Sequence, residues 1–214
     1  ISHFGVLPAQ NTPIFDEFLY HGKNSVNPGM FQYSNPILPG CYPDPSICRV
    51  GKDYYLVNST FGYYPGVPIW HSTDLVHWKQ LGYVLNRPSQ LMLKDCKMSG
   101  GVYAPDIKYN PHNRTFYMIT TGTGYGSTTY VKTDDPKKCN WSAPVALPSV
   151  GGIDPSLFFD EDGKAYILNN DAPAYEPLYS GHRAIWIREF DWRNDRVVGE
   201  AEVLIDGGLD ISKQ

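Results

Sequence analysis

The chain has 214 residues, a net charge of −4, 42% apolar residues and 19% charged residues. That length suits one ordinary domain, or one and a half, and the balance allows a sizeable core and argues against wholesale disorder. There is no Lys/Arg run and no apolar stretch near the ~18 residues of a membrane span, so nucleic-acid and membrane partners are disfavoured.

Residues 1–34 read as a lead-in, with Pro8, Pro13 and Pro28 and weak periodicity. From residue 35 the texture changes, and one pattern appears three times. The first copy covers about 42–85. It opens on Tyr42-Pro43-Asp44-Pro45-Ser46-Ile47, turns at Gly51-Lys52-Asp53, and continues through the strand-like runs 54–60, 69–72 and 78–85. The second covers about 103–147. It opens on Tyr103-Ala104-Pro105-Asp106, turns at 110–114, and continues through 115–121, 128–133 and 141–147. The third covers about 153–205. It opens on Ile153-Asp154-Pro155-Ser156, turns at 160–163, and continues through 164–169, 184–190 and 202–205.

Sixteen Tyr, nine Phe and five Trp, with 20 Gly and 18 Pro, favour many short strands joined by turns. Most of these aromatics are expected in the core and in strand pairs. Four-stranded units recurring every ~40–60 residues are the signature of a β-propeller. The chain is thus predicted to be all-β, with a loop insertion at 86–101. Equivalent positions of successive blades lie around one axis. If the opening strands are innermost, Asp44, Asp106 and Asp154 come to one mouth of the channel. An Asp beside Pro also suits the cap of a tight turn. Alternatively, carboxylates gathered near an axis bind a cation, share protons or do chemistry.

Other motifs carry less. Gly122-Thr123-Gly124-Tyr125-Gly126 is followed by a strand, so no helix N-terminus waits for a phosphate. There is no Gly-x-Ser-x-Gly and no His-Glu-x-x-His, and the four cysteines (41, 48, 96 and 139) lack zinc spacing. One or two disulfides or buried thiols both suit them. Asp160-Glu161-Asp162-Gly163 lacks the length of a calcium loop and reads as a hairpin turn. Asn58, Asn113 and Asn140 head Asn-x-Ser/Thr triplets. What remains is carboxylates in an aromatic funnel, the constellation of glycoside hydrolysis.

Several ordered motifs resemble glycoside hydrolase family 43, in its β-xylosidase and α-L-arabinofuranosidase branch. They are Asn35-Pro36-Ile37-Leu38 leading to Pro43-Asp44-Pro45-Ser46, Phe61 through Trp70-His71-Ser72-Thr73-Asp74-Leu75-Val76-His77-Trp78, Tyr103-Ala104-Pro105-Asp106, and Gly152-Ile153-Asp154-Pro155-Ser156-Leu157-Phe158. The resemblance implies a five-bladed propeller, of which about three blades lie in 35–214, and an inverting mechanism. Asp44 matches the general base. Asp154 matches the carboxylate that orients the acid and raises its pKa. Phe61, Tyr103, Asp106 and Ile153 are expected around the sugar, Ile153 where some relatives carry an aromatic. The family's general acid is the Glu of a Glu-Gly-Pro motif, which this sequence lacks; that acid is expected beyond residue 214, and this segment alone is expected to be inactive.

The substrate expected is hemicellulose (xylan, arabinoxylan or xylo-oligosaccharides) yielding xylose or arabinose, with the C-terminal blades of the same protein as partner. A non-catalytic sugar-binding propeller is the alternative. No cofactor is required, and a structural cation such as calcium suits the central channel. The chain starts at Ile1 without Met and without a charged-then-apolar leader; a secreted or periplasmic location is expected.

Overall fold

A computed structural model describes residues 33, 35–125, 128–170 and 183–205, with backbone alone for 183–185 and 201–205. The lead-in, apart from Tyr33, lies outside these residues. Twelve strands are described: β1 (Ser46–Val50), β2 (Asp53–Val57), β3 (Gly66–Ser72), β4 (Lys79–Leu85), β5 (Tyr103–Asn110), β6 (Thr115–Thr121), β7 (Thr128–Thr133), β8 (Val145–Leu147), β9 (Ile153–Phe159), β10 (Ala165–Asn170), β11 (Arg183–Asp191) and β12 (Arg196–Ile205). Helix is limited, among the described residues, to the 3-10 turns Pro88–Gln90 and Pro136–Lys138.

The strands form three four-stranded antiparallel sheets, each in simple chain order: β1 to β4, β5 to β8, and β9 to β12. Each sheet is a meander whose first two strands are joined by a short turn. Val50 pairs with Asp53 across the two-residue turn Gly51-Lys52, with Gly51 at φ 61°. Residues 160–163 also form a hairpin turn. Its ends are tied by Asp160 N–H to the Lys164 carbonyl at 2.8 Å, and the Asp162 carboxylate accepts from Lys164 N–H at 2.9 Å.

The middle sheet is covered on both faces. Along β6, Phe116 and Met118 join Tyr55, Val57, Ile69, Ile107 and Trp141 in one core. The alternate residues Tyr117 and Ile119 join Tyr130, Leu157, Ile167 and Phe190 in the other. Side chains of a strand alternate in direction, so a strand buried on both faces is apolar without interruption. Polar ties reinforce both layers. Asp53 accepts from Lys137 Nζ at 3.0 Å and contacts His71 Nε2 at 2.6 Å, which holds its carboxyl below the ordinary range. Lys132 Nζ reaches Asp195 at 3.2 Å.

The opening strand of the middle sheet, β5, packs against both β1 and β9. The three sheets therefore meet along their first strands, as successive propeller blades do. No closed ring is formed by the described sheets. The third sheet carries an apolar groove of about 490 Å³ lined by Lys108, Leu157, Phe158, Tyr166, Leu168 and Ile187, and Phe158 is half exposed there.

The 86–101 insertion is anchored to the middle sheet. Buried Gln90 donates to the Ser142 carbonyl at 2.9 Å and accepts from the backbone N–H groups of Asn86 and Arg87. Gly122 serves this packing: at φ 77°, a Cβ there would lie 1.5 Å from the Gly101 carbonyl oxygen. The glycines at 122–124 thus answer to close backbone approach. All four cysteines are free thiols, and burial pushes the Cys48 thiol up to about 11.

Candidate active site at the mouth of the first strands

Each first strand is preceded or opened by the same bent residue ahead of a proline. Asp44 (φ 51°), Ala104 (φ 28°) and Asp154 (φ 54°) are all left-handed, and Pro45, Pro105 and Pro155 follow them. A non-glycine residue there costs on the order of 1–3 kcal/mol, although Asp tolerates it better than most side chains. The strain persists because neighbouring strands hold the turn. The Ser59 N–H donates to the Pro43 carbonyl at 3.1 Å, and the buried Asn58 amide donates to the Tyr42 carbonyl at 3.0 Å. Each such bond contributes about 0.5–1.5 kcal/mol net, enough together to offset one left-handed residue. Asn58 is 1% exposed and committed to this role, so its Asn-x-Ser/Thr triplet is not a surface acceptor in the folded chain.

The Asp44 carboxylate is solvent-exposed and held at one oxygen. Ser59 Oγ donates to Asp44 Oδ2 at 2.6 Å while accepting from the Ala104 N–H at 2.7 Å. The middle strand thus orients Asp44 through Ser59. Ser59 was not legible as a site residue, because it reads in sequence as one more polar residue at a strand end. Asp154 occupies the matching place on the third sheet and also keeps an exposed face. Partial burial, with the nearby charge of Asp44, pushes its carboxyl above the ordinary range.

Asp106 corrects the sequence reading. Its position matches Ser46 and Ser156, not Asp44 and Asp154; the residue that matches the two aspartates is Ala104. Two residues separate it from that place, about 7 Å along a strand. It is 7% exposed, and four donors occupy its carboxylate. Ser46 Oγ (2.6 Å) and Lys108 Nζ (2.7 Å) reach Oδ1, and Ser156 Oγ (2.9 Å) and the Leu157 N–H (2.8 Å) reach Oδ2. A carboxylate offers about four lone-pair directions, and protein donors fill them here.

Phe61 and Tyr103 do come together. The Phe61 backbone exchanges hydrogen bonds with Val102 at 2.9 and 3.0 Å, which sets its ring edge-on to Tyr103 with centroids 5.9 Å apart. Gly101 permits this approach: at φ 100°, a Cβ would lie 2.4 Å from the Phe61 carbonyl oxygen. Tyr103 is further held by its hydroxyl, which donates to the Ser99 carbonyl at 3.1 Å. The loop from Phe61 (φ 51°) to Val67 (φ 59°) is left-handed at both ends. Ile153 is 39% exposed beside Asp154. The Asp74–Trp78 segment is a turn: Asp74 accepts from the N–H groups of Val76 and His77, and the His77 ring bond holds its carboxyl well below the ordinary range.

Among the described residues, no three His, Cys, Asp or Glu side chains gather to hold a metal ion, and no helix is long and apolar enough to cross a membrane. The arrangement offers two exposed carboxyl groups, Asp44 and Asp154, with Ser59 and Ala104, which tie Asp44 down, lying two and one residues from Phe61 and Tyr103.

A family model described as glycosyl hydrolases family 43 matches residues 33–213. The chain is 46% identical over 178 residues to a xylosidase/arabinosidase of Butyrivibrio fibrisolvens, covering 82% of this chain and 34% of that protein. It is 50% identical over 143 residues to a non-reducing end alpha-L-arabinofuranosidase of Bacteroides ovatus, covering 65% and 26%. Among solved structures, a family 43 subfamily 12 protein retrieved from a capybara gut metagenome matches with TM-score 0.75 and 53% identity, over 85% of this chain and 34% of that one. The xylan beta-1,4-xylosidase of Bacillus halodurans matches with TM-score 0.69 and 37% identity, over 84% and 34%. The chain spans about a quarter to a third of the length of these relatives.

Proposed function

The chain belongs to the glycosyl hydrolases of family 43, and on that premise we propose that the full-length protein is an inverting, exo-acting glycosidase. Its substrate class is hemicellulose, from which it releases xylose or arabinose outside the cytoplasm. One observation carries the reading. Asp44 and Asp154 hold matching places on the first and third inner strands, near enough that the charge of Asp44 adds to burial in raising Asp154.

Hydrolysis of an acetal needs a base for the attacking water and an acid for the leaving oxygen. Asp44 is the base: it is exposed, aimed by Ser59, and has one oxygen free of protein donors among the described hydrogen bonds. Asp154 orients the acid and, as a nearby negative charge, raises its pKa. The acid itself we assign to the part of the relatives' length that this chain does not span, in a five-bladed ring whose first three blades are the sheets described. The apolar groove of the third sheet is then the face that the next blade covers. The reaction draws on carboxyl groups and water and needs no cofactor.

Phe61 and Tyr103 supply flat apolar surface for a sugar ring. Stacking is present in ground and transition states alike, so it lowers KM more than it raises kcat. Phe61→Ala is expected to raise KM for an aryl pentoside about tenfold with kcat within about threefold; a loss confined to kcat would remove Phe61 from this role.

The stereochemistry tests the mechanism. Proton NMR of the first sugar released by the full-length protein from aryl β-xylosides or aryl α-arabinofuranosides is expected to show the opposite anomer. Release with retained configuration would overturn the assignment of Asp44 as base, since retention needs a carboxylate nucleophile instead.

A further inference from the structure

We propose that Asp106 is the positioning residue that sets the placement of Asp44 relative to Asp154. The proposal rests on the reading of those two as the working carboxyl groups. Among the described hydrogen bonds, Asp106 reaches neither of them directly. It acts through the serines that follow them: Ser46 Oγ donates to one of its oxygens, and Ser156 Oγ and the Leu157 N–H donate to the other. Ser46 stands two residues after Asp44, and Ser156 two after Asp154.

In each case a single proline lies between, with its φ fixed near −65°. The aspartate before it is already in a left-handed turn. Little backbone freedom is left between serine and aspartate, so a shift at the serine is carried to the carboxylate. Ser46 is itself held twice, since its Oγ also accepts from the Ile107 N–H at 3.2 Å. One carboxylate on the middle strand thus clamps the first and third strands at matching heights.

An acid is needed at this place. Both oxygens receive two donors each, counting Lys108 Nζ. An amide would turn an NH₂ group toward one pair of donors, leaving buried groups unmatched. Removing the clamp is expected to misplace the two carboxyl groups, and a misplacement of 1 Å can cost 10²-fold in rate.

The test is steady-state kinetics of the full-length protein on an aryl pentoside, with Asp106→Asn, Ser46→Ala, Ser156→Ala and the combined variants. Asp106→Asn is expected to lower kcat about 10–100-fold with KM within about threefold. Each serine variant is expected to lose part of that, Ser156→Thr to recover it, and both serine changes on top of Asp106→Asn to add little, as members of one unit do. A role confined to stability would lower Tm and leave kcat within threefold, and that result overturns the proposal. If Asp106→Asn does not fold, the serine variants decide: unchanged kcat in both overturns it equally. Asp44→Asn serves as the control. Normal turnover there removes the underlying reading, whereas an inactive Asp44→Asn beside a normal Asp106→Asn removes only the clamp.

Discussion

Asp44→Asn in the full-length protein is expected to lower turnover of aryl pentosides roughly 10²–10⁴-fold, the usual contribution of a positioned general base. The fold is expected to survive. Asn is close to Asp in shape and tolerates the left-handed φ of 51° at this position. Its amide oxygen can still accept from Ser59 Oγ, which now donates to the carboxylate at 2.6 Å. What is lost is the ability to take a proton from water.

A second readout comes with the same variant. The charge of Asp44 is one of two causes that raise Asp154; burial is the larger. Removing it is expected to move the Asp154 titration to lower pH, while burial keeps it above the ordinary carboxylate range. The sign for stability follows. A carboxyl raised in the folded state costs stability above its folded pKa, and that cost is relieved as pH falls from there toward its unfolded value. The variant therefore loses part of that acid-side relief. Carbon NMR of the Asp154 carboxyl in both proteins measures the shift, and identical titrations would show that the two groups do not couple. Turnover within a few-fold of the parent would remove Asp44 as the base.

On the roles proposed above, residues 1–214 produced alone are expected to show no turnover of aryl pentosides. Water activated by Asp44 attacks slowly unless the leaving oxygen is protonated in step. The acid of an inverting pair stands ~6.5–9.5 Å from the base, across the sugar. Asp154, raised by burial and by the charge of Asp44, is assigned to tuning that acid. The half-exposed Phe158 and the apolar groove around Tyr166 and Ile187 add a physical reason: without a covering sheet, this face meets water at a cost of about 25 cal/mol per Å². Joining to residues 1–214 the part of the relatives' length that this chain does not span is expected to give hydrolysis. Turnover by residues 1–214 alone, measured on protein free of the longer form, would place the acid within this segment and overturn the division of roles.

Much of the architecture is legible in the amino-acid sequence because it rests on local rules. Turn formers at 51–53, 110–114 and 160–163 separate runs with strand periodicity, and three such sets in a row give three meanders. The paired Asp-Pro-Ser motifs at 44–46 and 154–156 mark Asp44 and Asp154 as equivalent without any coordinates. Asp106 misled because Ala-Pro-Asp and Asp-Pro-Ser look alike by composition but differ by two residues in phase. On a strand start, two residues separate an exposed rim from a buried layer. Which serines and backbone groups fill that layer depends on strands 50 to 60 positions away. Ser59 was hidden for the same reason: its value lies in standing between Asp44 and the Ala104 N–H, a meeting of three chain segments. The sequence by itself determined the strand sets of each sheet, which follow from short-range pattern, while the resemblance to family 43 singled out Asp44 and Asp154 from the three aspartates that the pattern brings together. Only the tertiary structure decided which carboxylate is spent on holding the others, because a carboxylate's role is set by the donors that reach it and those come from neighbouring sheets.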